Sequence, residues 1–244
     1  MIGLIGGSGL SQLDGLILQE QMQRATPFGE PSAPLMVGTF AGKEVAFLPR
    51  HGEHHTIPPH LINYRANIWA MHQLGVEQIL AVASVGGITE EYKPGVIALP
   101  DQLIDYSWGR ESSFASEDFA ADKHIDFTYP FDETLRQQIQ LAANSEEMSV
   151  IDGGSYAVTQ GPRLETAAEI GRFKKDGADM VGMTAMPEAV LARELNIAYA
   201  SIAVVANHAA GLSSHPLTIE AILETMEESM VQVHRLLKGV IPLL

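Results

Sequence analysis

Short apolar runs alternate along the chain with longer segments in which apolar residues recur at the period of a helix. The runs have the length of strands and are apolar on successive residues, which is typical of strands covered on both faces. They comprise residues 2–5, 45–48, 78–83, 96–99, 156–159 and 198–205. The helical segments comprise residues 62–74, 133–143, 166–175, 187–195 and 219–237. This alternation predicts an α/β fold with a mixed or mainly parallel central sheet flanked by helices.

The length of the chain, 244 residues, is sufficient to bury one sizeable core, and we expect a single domain over residues 1–244. Residues 107–123 show no clear period and are too many for an ordinary connection, so we interpret them as a functional or interface loop. Ligands of open α/β sheets bind beyond the carboxyl ends of the strands. The residues that follow each predicted strand are therefore the first candidates for a site.

The formal net charge of −15 argues against binding to nucleic acid or to an anionic membrane, because both need clustered Lys and Arg. The chain has no cysteine, which excludes disulfides, thiolate catalysis and cysteine-based zinc sites. It begins without a basic leader, and no stretch approaches the ~18 apolar residues of a membrane span. We therefore expect a soluble, cytoplasmic protein in which any bound anion occupies a local site.

Glycines and small polar residues follow four of the predicted strands. The first strand leads into Gly-Gly-Ser-Gly at residues 6–9, whose backbone N–H groups could approach an anion, although the same glycines also suit a tight structural turn. This loop matches neither the dinucleotide-binding motif nor the P-loop. The second strand leads to Arg50 and His51, and arginine can bind phosphate through two parallel N–H groups. Ser84 follows the third strand, and Thr184 follows a further strand predicted near Asp179, so the sequence predicts one anion site.

The run from His51 to His55 also suggests a metal site, because it contains three imidazoles and one carboxylate. It lacks the helical His-Glu-x-x-His spacing, and Gly52 and the prolines that follow oppose a helix there. We therefore predict no bound metal.

Five spaced motifs are shared with a known family. They are Ile5-Gly6-Gly7-Ser8-Gly9-Leu10, Arg50-His51-Gly52, Asn63-Tyr64-Arg65-Ala66-Asn67-Ile68-Trp69-Ala70, Gly161-Pro162-Arg163, and Gly182-Met183-Thr184 with Pro187-Glu188. With these motifs in order over nearly its whole length, the chain resembles the trimeric purine nucleoside and methylthioadenosine phosphorylases. The resemblance implies a nucleoside phosphorylase-like fold, a homotrimer, inorganic phosphate as co-substrate, and no organic cofactor.

The resemblance also implies which residues contact the substrates. The implied phosphate ligands are Ser8, Arg50, His51, the backbone of Ala83 and Ser84, and Thr184. Met183 is implied to lie under the ribose with His55 beside it, and Leu164 against the base. Similar proteins have Thr or Asn followed by Ala where this chain has Ala83-Ser84, so one side-chain contact with phosphate is lost at Ala83. His124 matches a family residue near the pocket that a neighbouring subunit can supply.

Glu165 and Asn207 bear on which purine is bound. Glu165 resembles the glutamate that accepts the N1–H of 6-oxopurines, whereas adenine has a lone pair at N1. Methylthioadenosine phosphorylases have Asp in place of Asn207 and a second Asp in place of Ala209, next to His208. The amide of Asn207 is a poor acid, but its carbonyl can accept the N7–H of a purine and its N–H can donate to O6. Both residues favour hypoxanthine or guanine, and we expect them to stabilise the leaving base. The alternatives are that Glu165 caps the following helix and that Asn207 shapes a turn.

The 5' end of the nucleoside is the other position at which substrates differ. Purine nucleoside phosphorylases have a His near the ribose 5'-hydroxyl where this chain has Ile219, with Leu223 one helical turn later. An aliphatic pair suits a methylthio group, unless Ile219 only belongs to the core face of the last helix. These features predict phosphorolysis of 5'-methylthioinosine to hypoxanthine and 5-methylthioribose 1-phosphate. The alternatives are phosphorolysis of inosine and guanosine, phosphorolysis of methylthioadenosine, hydrolysis by water, and nucleoside binding without turnover.

Overall fold

The computed structural model describes residues 1–115, 124–213 and 219–244, the last range without the side chains of residues 219–221 and 223. Within these ranges, eleven strands form one mixed sheet. The strands are β1 (Ile2–Gly6), β2 (Ile17–Met22), β3 (Leu35–Phe40), β4 (Lys43–Pro49), β5 (Gln78–Gly87), β6 (Ile97–Leu99), β7 (Gln102–Asp105), β8 (Val150–Asp152), β9 (Ser155–Val158), β10 (Met180–Gly182) and β11 (Ala198–His208).

Five α-helices accompany the sheet in the described ranges. They are α1 (Tyr64–Gln73), α2 (Glu133–Ser145), α3 (Ala167–Lys175), α4 (Ala185–Glu194) and α5 (Ile219–Val240). A short 3₁₀ helix precedes α1 at Pro59–Leu61. None of the described helices is both long enough and apolar enough to cross a membrane.

The sheet branches at β5. Its main path runs β2-β3-β4-β1-β5-β10-β9-β7, while β11 pairs with both β5 and β6, and β6 pairs with β8. The strands β4, β1, β5 and β11 run parallel, whereas β10 is antiparallel to β5. Parallel strands deliver their carboxyl ends to one edge of the sheet, and Ser8, Arg50, His51 and Ser84 lie there. Thr184 follows β10, which runs in the opposite direction.

Helices cover the central strands on both faces. Ile79 of β5 packs in one apolar cluster together with Ile68 of α1, and the next residue, Leu80, packs in a second cluster with Ile139 of α2 and Leu236 of α5. Burial on both faces explains why the central strands are apolar on successive residues rather than on alternate ones.

Every strand and helix predicted from the sequence is present, and the α/β fold with a mixed central sheet flanked by helices is confirmed. The sequence did not predict β2, β3, β7 and β8. β2 is mostly exposed and carries Gln-Glu-Gln in its middle, and β7 and β8 have only four and three residues. Such strands show too little apolar pattern to be recognised. The extent of the domain, residues 1–244, stays a prediction.

Candidate functional site

A cavity of about 370 Å³ lies at the edge of the sheet where β1, β4 and β5 end, between the segments that follow β9 and β10 and the last residues of β11. Most of the predicted site residues line it. They are Ser8, Arg50, His51, His55, Ala83, Ser84, Leu164, Glu165, Met183, Thr184, Asn207 and Ala209. The structure therefore brings the predicted anion-binding and base-binding residues together in one cavity of the size of a small-molecule site.

Four predicted residues are not among those that line the cavity. His124 and His208 are exposed and lie outside it in this chain, so a contact of His124 with a neighbouring subunit's site stays a prediction. The side chains of Ile219 and Leu223 lie outside the described residues. Their neighbour Ile222, on the same helix α5, does line the cavity.

The loop after β1 is shaped by glycines that cannot be replaced without a clash. A Cβ on Gly7 would lie 2.5 Å from the carbonyl oxygen of Val82 and 2.8 Å from Nη1 of Arg50. Gly9 has a positive φ of 83°, and the N–H of Leu10 donates to the carbonyl of Gly7. The loop is thus a tight turn that brings backbone close to the guanidinium, and an approach of its N–H groups to an anion stays a prediction.

Arg50 is almost completely buried, and its charge is paired inside the protein. Its Nε and Nη2 donate to the two carboxylate oxygens of Glu188 at 2.8 and 2.7 Å, and its Nη1 donates to the carbonyl of Val82 at 2.8 Å. The sequence predicted that Arg50 would bind an anion through two parallel N–H groups. In the structure Glu188 occupies the Nε–Nη2 edge, because a buried guanidinium is stable only beside a charged partner.

A third member of this network is Tyr199, whose hydroxyl donates to Oε2 of Glu188 at 2.8 Å. Burial alone would lower the pKa of Arg50, but the charge and hydrogen bonds of Glu188 outweigh it and raise that pKa. Burial and the nearby charge of Glu188 raise the pKa of Tyr199 well above its usual value. The network therefore consists of a charged pair and a neutral phenol, and its net charge is zero.

His51 is also buried, and it is neutral. Burial, assisted by the charge of Arg50, lowers the pKa of His51 to about 4. Its Nδ1 lies 2.9 Å from the carbonyl oxygen of Ile57, so Nδ1 carries the proton and Nε2 keeps a lone pair. The ring of His55 lies 4.3 Å from that of His51, centroid to centroid. Among the described residues, no group of three or more His, Asp and Glu side chains could hold a metal ion.

In the segment that follows β9, Glu165 is half-buried and accepts a hydrogen bond of 2.6 Å from the hydroxyl of Thr159. The helix α3 is capped by Thr166, whose side chain accepts from the N–H of Glu169 while the carboxylate of Glu169 accepts from the N–H of Thr166. The alternative that Glu165 caps this helix is therefore wrong. Leu164, the preceding residue, is 44% exposed and also lines the cavity; we call the part of the cavity at Leu164 and Glu165 the base end.

Asn207 lies within β11, so the alternative that it shapes a turn is wrong as well. The ladder between β11 and β5 is irregular between Val205 and Asn207, and this irregularity places Asn207 opposite Gly86. Its Nδ2 donates to the carbonyl of His208 at 2.7 Å, and a Cβ on Gly86 would lie 3.3 Å from that nitrogen. The backbone thus fixes the orientation of the amide.

Two strands are longer than the sequence predicted. β5 continues to Gly87 and β11 to His208, so that Ser84 and Asn207 lie inside strands and not after them. Polar residues so near the ends of apolar runs obscured the continuation of both strands.

The structure adds site residues that sequence reasoning missed. Glu188 could have been suspected, because it is an acidic residue in the apolar segment Met186-Pro187-Glu188-Ala189-Val190. Thr159, six residues before Glu165, closes an apolar run, and that pattern does not indicate a contact with Glu165. Nothing in the sequence distinguishes Ile222 from its apolar neighbours on α5.

Comparison with known proteins shows which family the chain resembles. The family model of the phosphorylase superfamily matches residues 1–242. The chain is 48% identical to a probable S-methyl-5'-thioinosine phosphorylase of Pseudomonas syringae pv. tomato, over 98% of this chain and 97% of that one. It is 42% identical to the 6-oxopurine nucleoside phosphorylase of Pyrococcus furiosus, over 100% of this chain and 92% of that one.

Among solved structures, the methylthioadenosine phosphorylase from Schistosoma mansoni in complex with adenine superimposes with a TM-score of 0.94. It is 35% identical, and the match covers 99% of this chain and 91% of that one. Proteins similar to this chain are therefore named after different purine nucleosides. The residues that contact the purine base are the ones that can distinguish among these substrates.

Proposed function

Since the chain belongs to the phosphorylase superfamily, we propose that it cleaves 6-oxopurine nucleosides with inorganic phosphate and prefers S-methyl-5'-thioinosine. The observation that carries this proposal is the presence of Glu165 and Asn207 in one cavity with Arg50, Ser8 and Thr184. The names of the relatives from Pseudomonas syringae and Pyrococcus furiosus support it. The products are hypoxanthine and 5-methylthioribose 1-phosphate.

Phosphate is proposed to bind at the end of the cavity where Arg50 lies. Three of the five N–H groups of a guanidinium are used by Glu188 and Val82, which leaves two for the anion. Thr184, which makes no capping hydrogen bond to α4, lines the cavity with Ser8 and Ser84, and the three hydroxyls supply O–H donors for a ligand. Because the pair of Arg50 and Glu188 has no net charge and His51 is neutral, directed N–H and O–H donors hold the anion.

In the proposed reaction a phosphate oxygen bonds to C1' of the ribose while the bond from C1' to N9 of the purine breaks. The electron pair of that bond moves to the purine, which takes a proton from solvent as it leaves. Glu165 accepts the N1–H, and the amide of Asn207 binds N7 and O6, so that charge on the leaving base is stabilised. Positioning of the two substrates supplies much of the rate.

The proposed preference for a 5'-methylthio group rests on the apolar side chain that α5 contributes to the cavity. Ile222 has no polar atom that could satisfy a ribose 5'-hydroxyl, whereas it can pack against a methylthio group. The predicted contacts of Ile219 and Leu223 on the same helix would extend this apolar surface. A purine nucleoside phosphorylase that acts on inosine as its best substrate would need a hydrogen-bonding group here.

The test is release of free base from methylthioinosine, inosine and methylthioadenosine, with and without phosphate, compared as kcat/KM. The proposal expects phosphate-dependent release that is fastest by orders of magnitude from methylthioinosine. Inosine as the best substrate would remove the methylthio preference, and methylthioadenosine as the best substrate would overturn the assignment of Glu165 and Asn207. Release without phosphate would indicate a nucleosidase, and binding without release would indicate a binding module.

We infer from the family resemblance that the active form is a homotrimer. Large exposed apolar side chains next to the cavity segments support an interface there; these are Leu61 at 66%, Trp108 at 72% and Leu164 at 44% exposure. Light scattering should give three times the 26.4 kDa of one chain. A monomer would also remove the predicted contribution of His124 from a neighbouring subunit. The cytoplasmic location stays a prediction.

A further inference from the structure

Arg110 lies in the aperiodic loop after β7 and makes an unusual set of contacts. Its Nη1 donates to the carbonyl oxygens of Met183 and Met186 at 2.7 and 2.5 Å. Its Nη2 donates to those of Thr159 and Gln160 at 3.1 and 2.7 Å, and its Nε to the side-chain oxygen of Gln160 at 3.2 Å. All five N–H groups of the guanidinium therefore have acceptors.

The acceptors belong to the segments that form the nucleoside end of the cavity. Thr159 and Gln160 begin the segment that leads to Leu164 and Glu165, and Met183 is itself a lining residue. The guanidinium also lies 5.5 Å from the ring centroid of Tyr64, with Nη1 3.4 Å from the Tyr64 hydroxyl.

The chemistry of these contacts differs from that of a surface ion pair. Among the described residues, Arg110 forms no salt bridge, and its charge is distributed over backbone carbonyls. Charge-assisted hydrogen bonds are stronger than neutral ones, and the rigid planar fork fixes the relative positions of its acceptors. Lysine, with one nitrogen, could not reach both segments in the same geometry.

We propose that Arg110 is a positioning residue that fixes the base-binding segment 159–165 against the ribose-binding segment 183–186. This inference rests on the proposed function, and it gives loop residues 106–115 a role in nucleoside binding. The phosphate end has an independent anchor, because Glu188 of α4 is tied to Arg50. Loss of Arg110 should therefore disturb the nucleoside more than the phosphate.

The test compares wild type with Arg110→Met, which keeps length but removes all donors, and Arg110→Lys, which keeps the charge. Arg235→Met is the matched control, because Arg235 is 55% exposed, lies at the other end of α5 from the cavity residue Ile222, and contacts Glu146, which does not line the cavity. For Arg110→Met, nucleoside kcat/KM should fall about 10²-fold, the effect of a misplacement of about 1 Å. The KM for phosphate should stay near that of wild type, and Arg110→Lys should recover part of the loss.

A merely structural role would give a different result. It would lower the melting temperature of Arg110→Met, while kcat/KM per folded enzyme and the ratio of the two KM values stayed unchanged well below that temperature. That outcome, or equal losses for nucleoside and phosphate, would overturn the proposal. The same assays distinguish this proposal from the proposed function. The proposed function is tested by the order of kcat/KM among the nucleosides in wild type. The role of Arg110 is tested by kcat/KM of the variant relative to wild type, on the nucleoside that wild type cleaves fastest.

Discussion

The two ends of the cavity differ in how firmly their polar groups are held. At the phosphate end, Arg50 and Glu188 are 1% and 0% exposed and are joined by two hydrogen bonds. At the base end, Glu165 is half-buried and held by the hydroxyl of Thr159, and Leu164 beside it is 44% exposed. A change at the buried end leaves a charge without a partner, while a change at the open end is partly compensated by water. The base end can therefore vary between related enzymes at lower cost in stability.

Glu188→Gln should disrupt the buried ion pair with Arg50 and have the largest effect on stability. It leaves the charge of Arg50 buried without a carboxylate, so the free energy of unfolding should fall by about 3–5 kcal/mol. Chemical denaturation measures this fall. Glu228→Gln, at an exposed residue of α5, should change it little. Equal stability of Glu188→Gln and wild type would mean that the network does not hold the phosphate end together.

The neutral His51 predicts a pH dependence of stability. Its pKa in the folded protein, about 4, lies below the usual value of 6.5, so the unfolded chain binds a proton first as pH falls. The free energy of unfolding is therefore unaffected by protonation of His51 above pH 6.5, and it falls by roughly 1–3 kcal/mol as the pH is lowered from 6.5 to 4. His51→Gln should flatten this part of the stability curve, measured without phosphate. His54→Gln is the control, and a slope as steep in His51→Gln as in wild type would contradict the assignment.

Thr159→Val should have the smallest effect and should be confined to the base end. It removes the hydrogen bond to Glu165 with little change of shape, so nucleoside kcat/KM should fall about tenfold. The KM for phosphate should not change. Thr128→Val is the control, because its hydroxyl makes a similar bond to Asp126 at an exposed site. A larger effect on phosphate than on nucleoside would mean that the two ends are not separate.

The same contrast governs what could be predicted from the sequence. Ser8, Arg50, His51 and Thr184 were located because glycines and polar residues follow apolar strands, which is a local pattern. The pairing of Arg50 with Glu188 was not predicted, since these residues are 138 positions apart and only the folded chain brings them together. Glu188 takes the Nε–Nη2 edge of Arg50, and a contact of the two remaining N–H groups with phosphate stays a prediction.

At the base end, the family resemblance indicated Glu165 and Asn207, which both line the cavity, but the sequence did not indicate the groups that orient them. The hydroxyl of Thr159 and the carbonyl of His208 act through geometry that no residue pattern encodes. The exposed strand β2 was missed because it lacks an apolar face, and Arg110 was missed because its partners are backbone carbonyls. Contacts with backbone leave no trace in the residue types of the partner.

The most direct test of the account is competition between methylthioinosine and methylthioadenosine for one enzyme, in wild type and in Asn207→Asp. The ratio of their kcat/KM values reports discrimination at the base end alone, because phosphate is common to both reactions. We predict that wild type favours methylthioinosine by orders of magnitude and that Asn207→Asp lowers this ratio about 10²-fold, since a carboxylate can hold a protonated adenine N7 and repels O6. A ratio near one in wild type, or a ratio that Asn207→Asp leaves unchanged, would contradict the assignment of 6-oxopurine specificity to this residue.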